Sequence, residues 1–187
     1  MIDQVYPEIF LTRDDLDTFP KFKLPEGYFF RNYHFKDEEN WFKIYKASDG
    51  YNKVYSTTFR EYFGAKVEKL EKRQIYLCNE AGETVATATA WDDKDFEGEH
   101  WGRLHWVAVH PNYQSKGLSK PLLAEALQRL KDCGHKKVYL RTFTMRNKAI
   151  NLYLSFGFEP LIRNDFERDV WFELSKKINH PSLSFLK

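Results

Sequence analysis

The sequence predicts a mixed α/β (α+β) fold, one sheet with helices packed against it, in a single domain spanning residues 1–187. Three observations predict it. Short β-rich apolar runs at 74–78, 84–91, 104–109 and 137–143 have the length and composition of strands. Residues 37–47, 56–72, 118–133 and 147–156 space apolar side chains by three and four, as amphipathic helices do. No repeat, low-complexity tract or interdomain linker divides the chain.

Each element follows in order. Residues 1–27 read as a polar and aromatic lead-in that ends at the turn signal Leu24-Pro25-Glu26-Gly27, and 28–35 as a strand. Asp37 can cap a helix through Ala47, with Glu38 and Glu39 in the first turn, where the helix dipole favours negative charge, and Trp41, Ile44 and Tyr45 at helical spacing. Residues 48–52 break it. A second helix over 56–72 carries Phe59, Phe63, Val67 and Leu70 on one face. Residues 74–78 and 84–91 form a hairpin across a short loop containing Gly82, and 92–100 read as a charged loop. The strand at 104–109 is closed by Pro111; the helix at 118–133 lines up Leu122, Leu123, Ala126, Leu127 and Leu130 and ends at Gly134. After the strand at 137–143, the helix at 147–156 stops at Gly157. Residues 158–162 and 170–174 read as a closing antiparallel pair, and 176–187 as a C-terminal tail.

Composition narrows the function. Hydrophobic residues make up 42% of the chain and aromatic residues 17%, enough to build a packed, aromatic-rich core or pocket. Twenty-nine Lys plus Arg against 27 Asp plus Glu leave a formal charge of +2, too small to indicate nucleic acid or an anionic membrane as partner. Cys78 and Cys133 make no disulfide framework, residues 1–10 lack the pattern of a signal peptide, and no window approaches the roughly 18–20 apolar residues of a membrane helix. A cytoplasmic protein is expected. The six histidines and two cysteines show no metal-ligand spacing, so no metal is expected.

The chemistry concentrates between the strand at 104–109 and the helix at 118–133, in Gln114-Ser115-Lys116-Gly117-Leu118-Ser119. A turn of this kind gathers backbone N–H groups at a helix N-terminus, where they and the helix dipole can hold a pyrophosphate. Gly117 permits a positive φ, and Pro121 suits a first helical turn because its missing N–H costs nothing there. Taken alone, the loop is equally an ordinary strand-to-helix turn. The segment resembles the Gln/Arg-x-x-Gly-x-Gly/Ala acetyl-CoA signature of the GCN5-related N-acetyltransferases, with Ser119 standing where that family usually has Gly or Ala. Downstream, the run from Asn147 through Leu152-Tyr153 to Gly157-Phe158 resembles the family's second signature, Asn-x-x-Ala-x-x-Leu-Tyr-x-x-x-Gly-Phe. The resemblance covers about residues 28–175 and is strong over 104–158. It implies a central, mostly antiparallel mixed sheet flanked by helices, and acetyl-CoA as cosubstrate.

The resemblance also implies roles. The strand before the phosphate loop splays from its neighbour at a bulge, and by position Val107, Ala108 and Val109 offer their backbone to the pantetheine arm; as side chains they are plain core. Tyr153 matches the tyrosine that donates a proton to the departing thiolate, and is otherwise a core aromatic. Asn147 would cap its helix, bind the pantetheine arm, or both. Lys116, Lys120 and Lys148 reach phosphates or are solvated surface lysines.

Acylating an amine requires removing a proton from it. His105 is the candidate base: it lies two residues before Val107, which places it on the same strand face, and an imidazole pKa near 6.5 suits the task. Its stretch also resembles the strand of arylalkylamine N-acetyltransferases that carries two histidines two residues apart, although Arg103 stands at the first of those positions here. The bland alternative is a histidine hydrogen-bonded within the core.

The acceptor site is expected from the first two helices, their connection through Tyr51 and Tyr55, and the loop after Trp91. Asp92, Asp93 and Asp95 there either attract a cation or form a solvated loop. With both cysteines outside the motifs, direct attack in a ternary complex is expected, not an acyl-cysteine. The expected activity is acetyl transfer from acetyl-CoA to a primary amine of a small molecule. A protein or peptide N-acetyltransferase and a non-catalytic acetyl-CoA-binding regulatory module are the alternatives, and monomer and homodimer remain open.

Overall fold

The computed structural model describes residues 6–50, 53–64 and 67–186. Seven strands form one sheet in the order β2-β3-β4-β5-β6-β1-β7. They are β1 (Glu8–Arg13), β2 (Tyr28–Asn32), β3 (Gln74–Asn79), β4 (Thr84–Phe96), β5 (Glu99–Val109), β6 (Val138–Phe143) and β7 (Glu159–Pro160). All neighbours are antiparallel except β5 and β6. That parallel pair needs a crossover, supplied by α4 (Ser119–Asp132), whose Leu122, Leu123, Ala126, Leu127 and Leu130 are wholly buried in the main core. The mixed, mostly antiparallel sheet flanked by helices is as expected.

A second, aromatic core lies under the early helices α1 (Glu38–Ser48), α2 (Thr58–Phe63) and α3 (Val67–Arg73). Trp41, Tyr45, Phe59, Phe63 and Tyr76 form it, with Trp91 and Trp106 of the sheet packed against them. Their rings meet edge-on or tilted, as between Trp41 and Trp106, 4.9 Å apart at 72°. This aromatic-rich core lies against the strand that carries His105.

Several elements differ from expectation. The lead-in contains β1, which sits inside the sheet between β6 and β7: Ile9 and Leu11 are buried, and the backbone pairs from Glu8↔Phe143 to Arg13↔Val138. The single helix at 56–72 is two, because the chain leaves α2 at Gly64 with φ +61, a left-handed conformation that an L side chain resists. Asp37 does not cap α1; its carboxylate receives Arg31 at 2.6 and 2.8 Å, the His34 N–H at 2.6 Å and Asn40 at 2.8 Å.

The charged loop at 92–100 is a continuation of β4 and β5, which turn only at Glu97 and Gly98. An antiparallel pair tolerates such polar residues because one face can stay wet, while Phe96 and Trp101 pack with Tyr139. Residues 170–174 belong to a helix, α6 (Asp165–Lys177), and no closing pair forms; β7 is two residues long and pairs with β1. The Asn164 side chain accepts the Glu167 N–H, with Asp165 and Glu167 in the first turn and Lys176 and Lys177 in the last. That cap and the buried Trp171, Leu174 and Ile178 are helix signals in plain sequence.

Candidate active site

β5 and β6 share only two register pairs, Gly102↔Val138 and Arg103↔Tyr139, and then separate. Beyond them β5 pairs with β4 alone, so among the described residues no strand covers its other edge over 104–109. Bare strand edges are templates for extended ligands. Here the edge runs between two features, a phosphate-sized loop at one end and a cavity at the other.

The loop lies between a 3₁₀ turn (Pro111–Tyr113) and α4. Ser115 (φ +62) and Gly117 (φ +76) both adopt left-handed backbone. A Cβ on Gly117 would meet only Pro25 Cγ at 3.8 Å, so conformation and not space demands glycine there. The Gln114 side chain donates to the Val109 carbonyl at 3.1 Å, tying the loop to β5, and buried Leu118 anchors its far side. No side chain caps α4, so its first-turn N–H groups keep their positive end of the dipole for a ligand. Ser119 and Lys120 open the helix, exposed; Lys116 and Lys120 rest over the Tyr113 and Phe22 rings at 4.7 and 5.1 Å. This arrangement suits a pyrophosphate.

The cavity, of about 330 Å³, lies where β5 and β6 part. His105, Val107 and Tyr153 line it, with Tyr45 from α1 and Tyr62 from α2. Tyr153 comes from α5 (Asn147–Ser155), whose Ile150 and Leu154 fix it to the main core while Tyr153 stays partly exposed. Burial pushes its hydroxyl up to about 12, against the opposing charge of Arg146, so it holds its proton throughout the neutral range. The Tyr45 hydroxyl is buried without a hydrogen-bond partner among the described residues.

His105 is 8% exposed and stacks among Tyr62, Phe63 and Trp106, with centroids 5.5, 5.9 and 5.6 Å away. Burial first, then the charges of Arg103 and Arg141, hold its pKa well below the usual imidazole value. It is neutral and able to accept a proton, but it resists keeping one. The expected shared face with Val107 is wrong. The register against β4 slips between Thr87↔Ala108 and Thr89↔His105, so Trp106 and Val107 together oppose Ala88, and Trp106 takes φ +49. This bulge sends His105 and Trp106 both toward the aromatic core, whereas Leu104, Val107 and Val109 pack on the main core.

Of the other expected residues, Ala108 faces the aromatic core, and Val109 precedes the loop without lining the cavity. Asn147 and Lys148 are exposed at the start of α5; Arg146 holds the cap position and Asn147 makes no side-chain cap. Tyr55 lines the cavity, whereas Tyr51 lies outside the described residues. The aspartates after Trp91 do not line it: Asp92 pairs with Lys69, and Asp93 accepts from Tyr139 at 2.6 Å. Arg141, Arg146, Glu8 and Glu61 were not anticipated in the wall. Each is an ordinary surface charge in sequence; only the alternation of Arg141 with Tyr139 along β6 hinted that they share a face. Among the described residues no group of three His, Cys, Asp or Glu could hold a metal, no helix is long and apolar enough to cross a membrane, and Cys78 and Cys133 are free.

Comparison with known proteins agrees with this fold. Residues 36–158 match the model of the acetyltransferase (GNAT) family. The chain is 31% identical over 107 residues to the L-amino acid N-acyltransferase MnaT of Escherichia coli, covering 54% of this chain and 60% of that protein. It is 33% identical over 85 residues to the L-methionine sulfoximine/L-methionine sulfone acetyltransferase of Salmonella typhimurium, covering 45% and 49%. It therefore spans less than two thirds of the length of these curated relatives. A GCN5-related N-acetyltransferase from Sphaerobacter thermophilus shares the fold, with a TM-score of 0.67 at 18% identity over 82% of this chain and 48% of that one. With a family model matched over well more than half its length, on a sheet that splays where the family's signatures flank it, the chain belongs to the acetyltransferase (GNAT) family.

Proposed function

We propose that this protein is an acetyl-CoA-dependent N-acetyltransferase that acylates a primary amine of a small molecule by direct attack in a ternary complex. One observation carries the reading: the uncovered edge of β5 connects the Gln114–Ser119 loop with a cavity holding a neutral imidazole and a protonated phenol. The names of the two curated relatives, which specify amino-acid-sized amines, support a small acceptor.

Acetyl-CoA supplies an activated acyl group and a thiolate leaving group. The residues that suit it are Gln114, Ser115, Lys116, Gly117, Leu118, Ser119 and Lys120 at the pyrophosphate, and the backbone of Val107, Ala108 and Val109 along the arm, with Asn147 and Lys148 at the start of α5 beside it. Tyr153 donates its hydroxyl hydrogen to the sulfur that leaves as the C–S bond breaks; its high pKa keeps the phenol protonated throughout the neutral range. His105 takes the proton that the amine sheds. With its pKa depressed, it serves as a relay that passes the proton on to water and does not store it. Tyr45, Tyr62 and Trp106 give the cavity an aromatic wall around the reacting amine. A reduced cytoplasm is our reading of the compartment, in keeping with the free cysteines.

Thiol release measured with acetyl-CoA and a panel of small amines, beside a panel of peptides, tests the reading. Amine-dependent release supports it. Release with peptides alone would make the protein a peptide acetyltransferase, and binding of acetyl-CoA without release under either panel would make it a non-catalytic module.

A further inference from the structure

The cavity carries more charge than a plain amine requires. Arg141 on β6 and Arg146 before α5 line it and pair with Glu8 at 3.4 Å and Asp49 at 2.8 Å. Lys53 and Glu61 line it as well. Three cations therefore face three acids, and the wall by itself is balanced.

Arg103 stands just behind this wall. It stands on β5 opposite Tyr139, two residues before His105 and on the same face, because the bulge begins only after His105. Its guanidinium lies over the Tyr139 ring, 5.7 Å from the centroid. Among the described residues it makes no ion pair, and its Nε is buried without a hydrogen-bond partner. Asp93, the acid whose charge reaches it, is already bonded to the Tyr139 hydroxyl at 2.6 Å. A half-buried guanidinium with an unsatisfied Nε is costly, and Arg141 adds a like charge near it. Arg103 is not itself in the wall, but its charge reaches His105, which is, while Glu61 in the wall makes no ion pair among the described residues.

We propose that the acceptor is zwitterionic, an α-amino acid or a molecule with the same pairing of amine and carboxylate, its carboxylate held by Arg141 with Arg103 adding charge from the neighbouring strand. This rests on the acceptor being a small amine. A guanidinium uses two of its five donors on a carboxylate in a fixed fork, and Arg141 spends little of that capacity on Glu8. Glu61 supplies the negative charge that meets the ammonium before it is deprotonated. The carboxylate also screens Arg103 and Arg141, the two charges that make His105 a reluctant base, so the substrate improves the residue that deprotonates it.

The test uses the full chain, acetyl-CoA and two sets of acceptors: leucine or phenylalanine, its carboxamide, and its decarboxylated amine. Rates are corrected to the neutral fraction of each amine. The expected result is a kcat/KM at least about tenfold higher for the acid than for the other two, the worth of a charge-assisted hydrogen bond. In Arg141→Gln that ratio falls toward one; in Arg103→Gln it falls as well, and Arg103→Lys restores part of it. Arg141 is exposed, so its variant keeps the idea falsifiable if a substitution at the more buried Arg103 fails to fold. A ratio near one in the unmodified protein, or an equal loss on acid and decarboxylated amine in Arg141→Gln, would overturn the proposal. If no amine is acetylated although acetyl-CoA binds, the enzymatic reading falls separately. The anion site is then judged by calorimetry on the CoA-bound protein, where tighter binding of leucine than of leucinamide sustains it and equal affinity ends it.

Discussion

His105 and Val107, two positions apart on β5, project to opposite sides of the sheet because the bulge at Trp106 places an extra residue between them. A strand without the bulge would put both on one face. With it, the backbone at 107–109 stays available along the splayed edge while His105 turns into the aromatic pocket beneath α1 and α2. The uncovered edge and the aromatic pocket are in this way built from one strand.

The role of His105 is tested by pH. Since burial and two arginines hold its pKa well below 6.5, an acid limb in kcat/KM that belongs to His105 should lie well below pH 6.5. His105→Gln is expected to lower the plateau and remove that limb. Acceptors of different amine pKa separate this limb from their own, which moves with the acceptor. An unchanged rate and limb in a folded glutamine variant would leave His105 as packing among Tyr62, Phe63 and Trp106.

The same shift has a stability consequence of defined sign. His105 binds a proton less readily folded than unfolded, so between its folded pKa and about 6.5 the unfolded state carries more protons and stability rises with pH. The denaturation midpoint should therefore fall as the pH drops through about 6.5 and level off below the folded pKa. His105→Gln should flatten part of this slope; His135, also lowered by burial, supplies another part. An identical slope in the variant would show that His105 titrates normally.

Tyr153→Phe removes one hydroxyl from a residue already packed against Phe158, so the fold and acetyl-CoA affinity should persist while turnover falls about a hundredfold or more. Single-turnover kinetics provide the check. With a pKa near 12, Tyr153 should contribute no alkaline limb in the neutral range. Near-normal chemistry in the variant would remove Tyr153 from the mechanism.

Gly117 and Ser115 make a matched pair in the loop before α4, both left-handed. Gly117→Val forces a β-branched residue into φ +76, at a cost of about 1–2 kcal/mol or more, and should weaken acetyl-CoA binding about tenfold without unfolding the protein. Ser115→Gly relieves the same conformation and should bind at least as well as the parent, because backbone N–H groups and not the hydroxyl are expected to hold the pyrophosphate. Calorimetry on both variants decides: equal affinities for Gly117→Val and parent would move the pyrophosphate elsewhere.

The stretch from β5 through α5 could be read from sequence because its signals are local. Apolar runs, helical spacing, Pro121 and Gly157 act within a few residues, and the two signatures named Gln114–Ser119 and Tyr153 directly. The cap at Asn164 and Glu167 was equally local, so α6 was legible; the β-branched and aromatic run Val170-Trp171-Phe172 obscured it. Other features depended on partners far along the chain. Whether Ile9 and Leu11 belong to a tail or a central strand is settled by the pairing of β1 with β6, more than a hundred residues away. Which face His105 takes is settled by the register of β5 against Thr87 and Thr89 on β4. The charges around the cavity come from β1, the segment after α1, α2, β6 and the turn before α5, and only the divergence of β5 from β6 after Arg103 opens a space that they share. Side-chain direction along a strand follows a period of two only while the pairing is regular, so one inserted residue, invisible to any local pattern, decided what His105 faces.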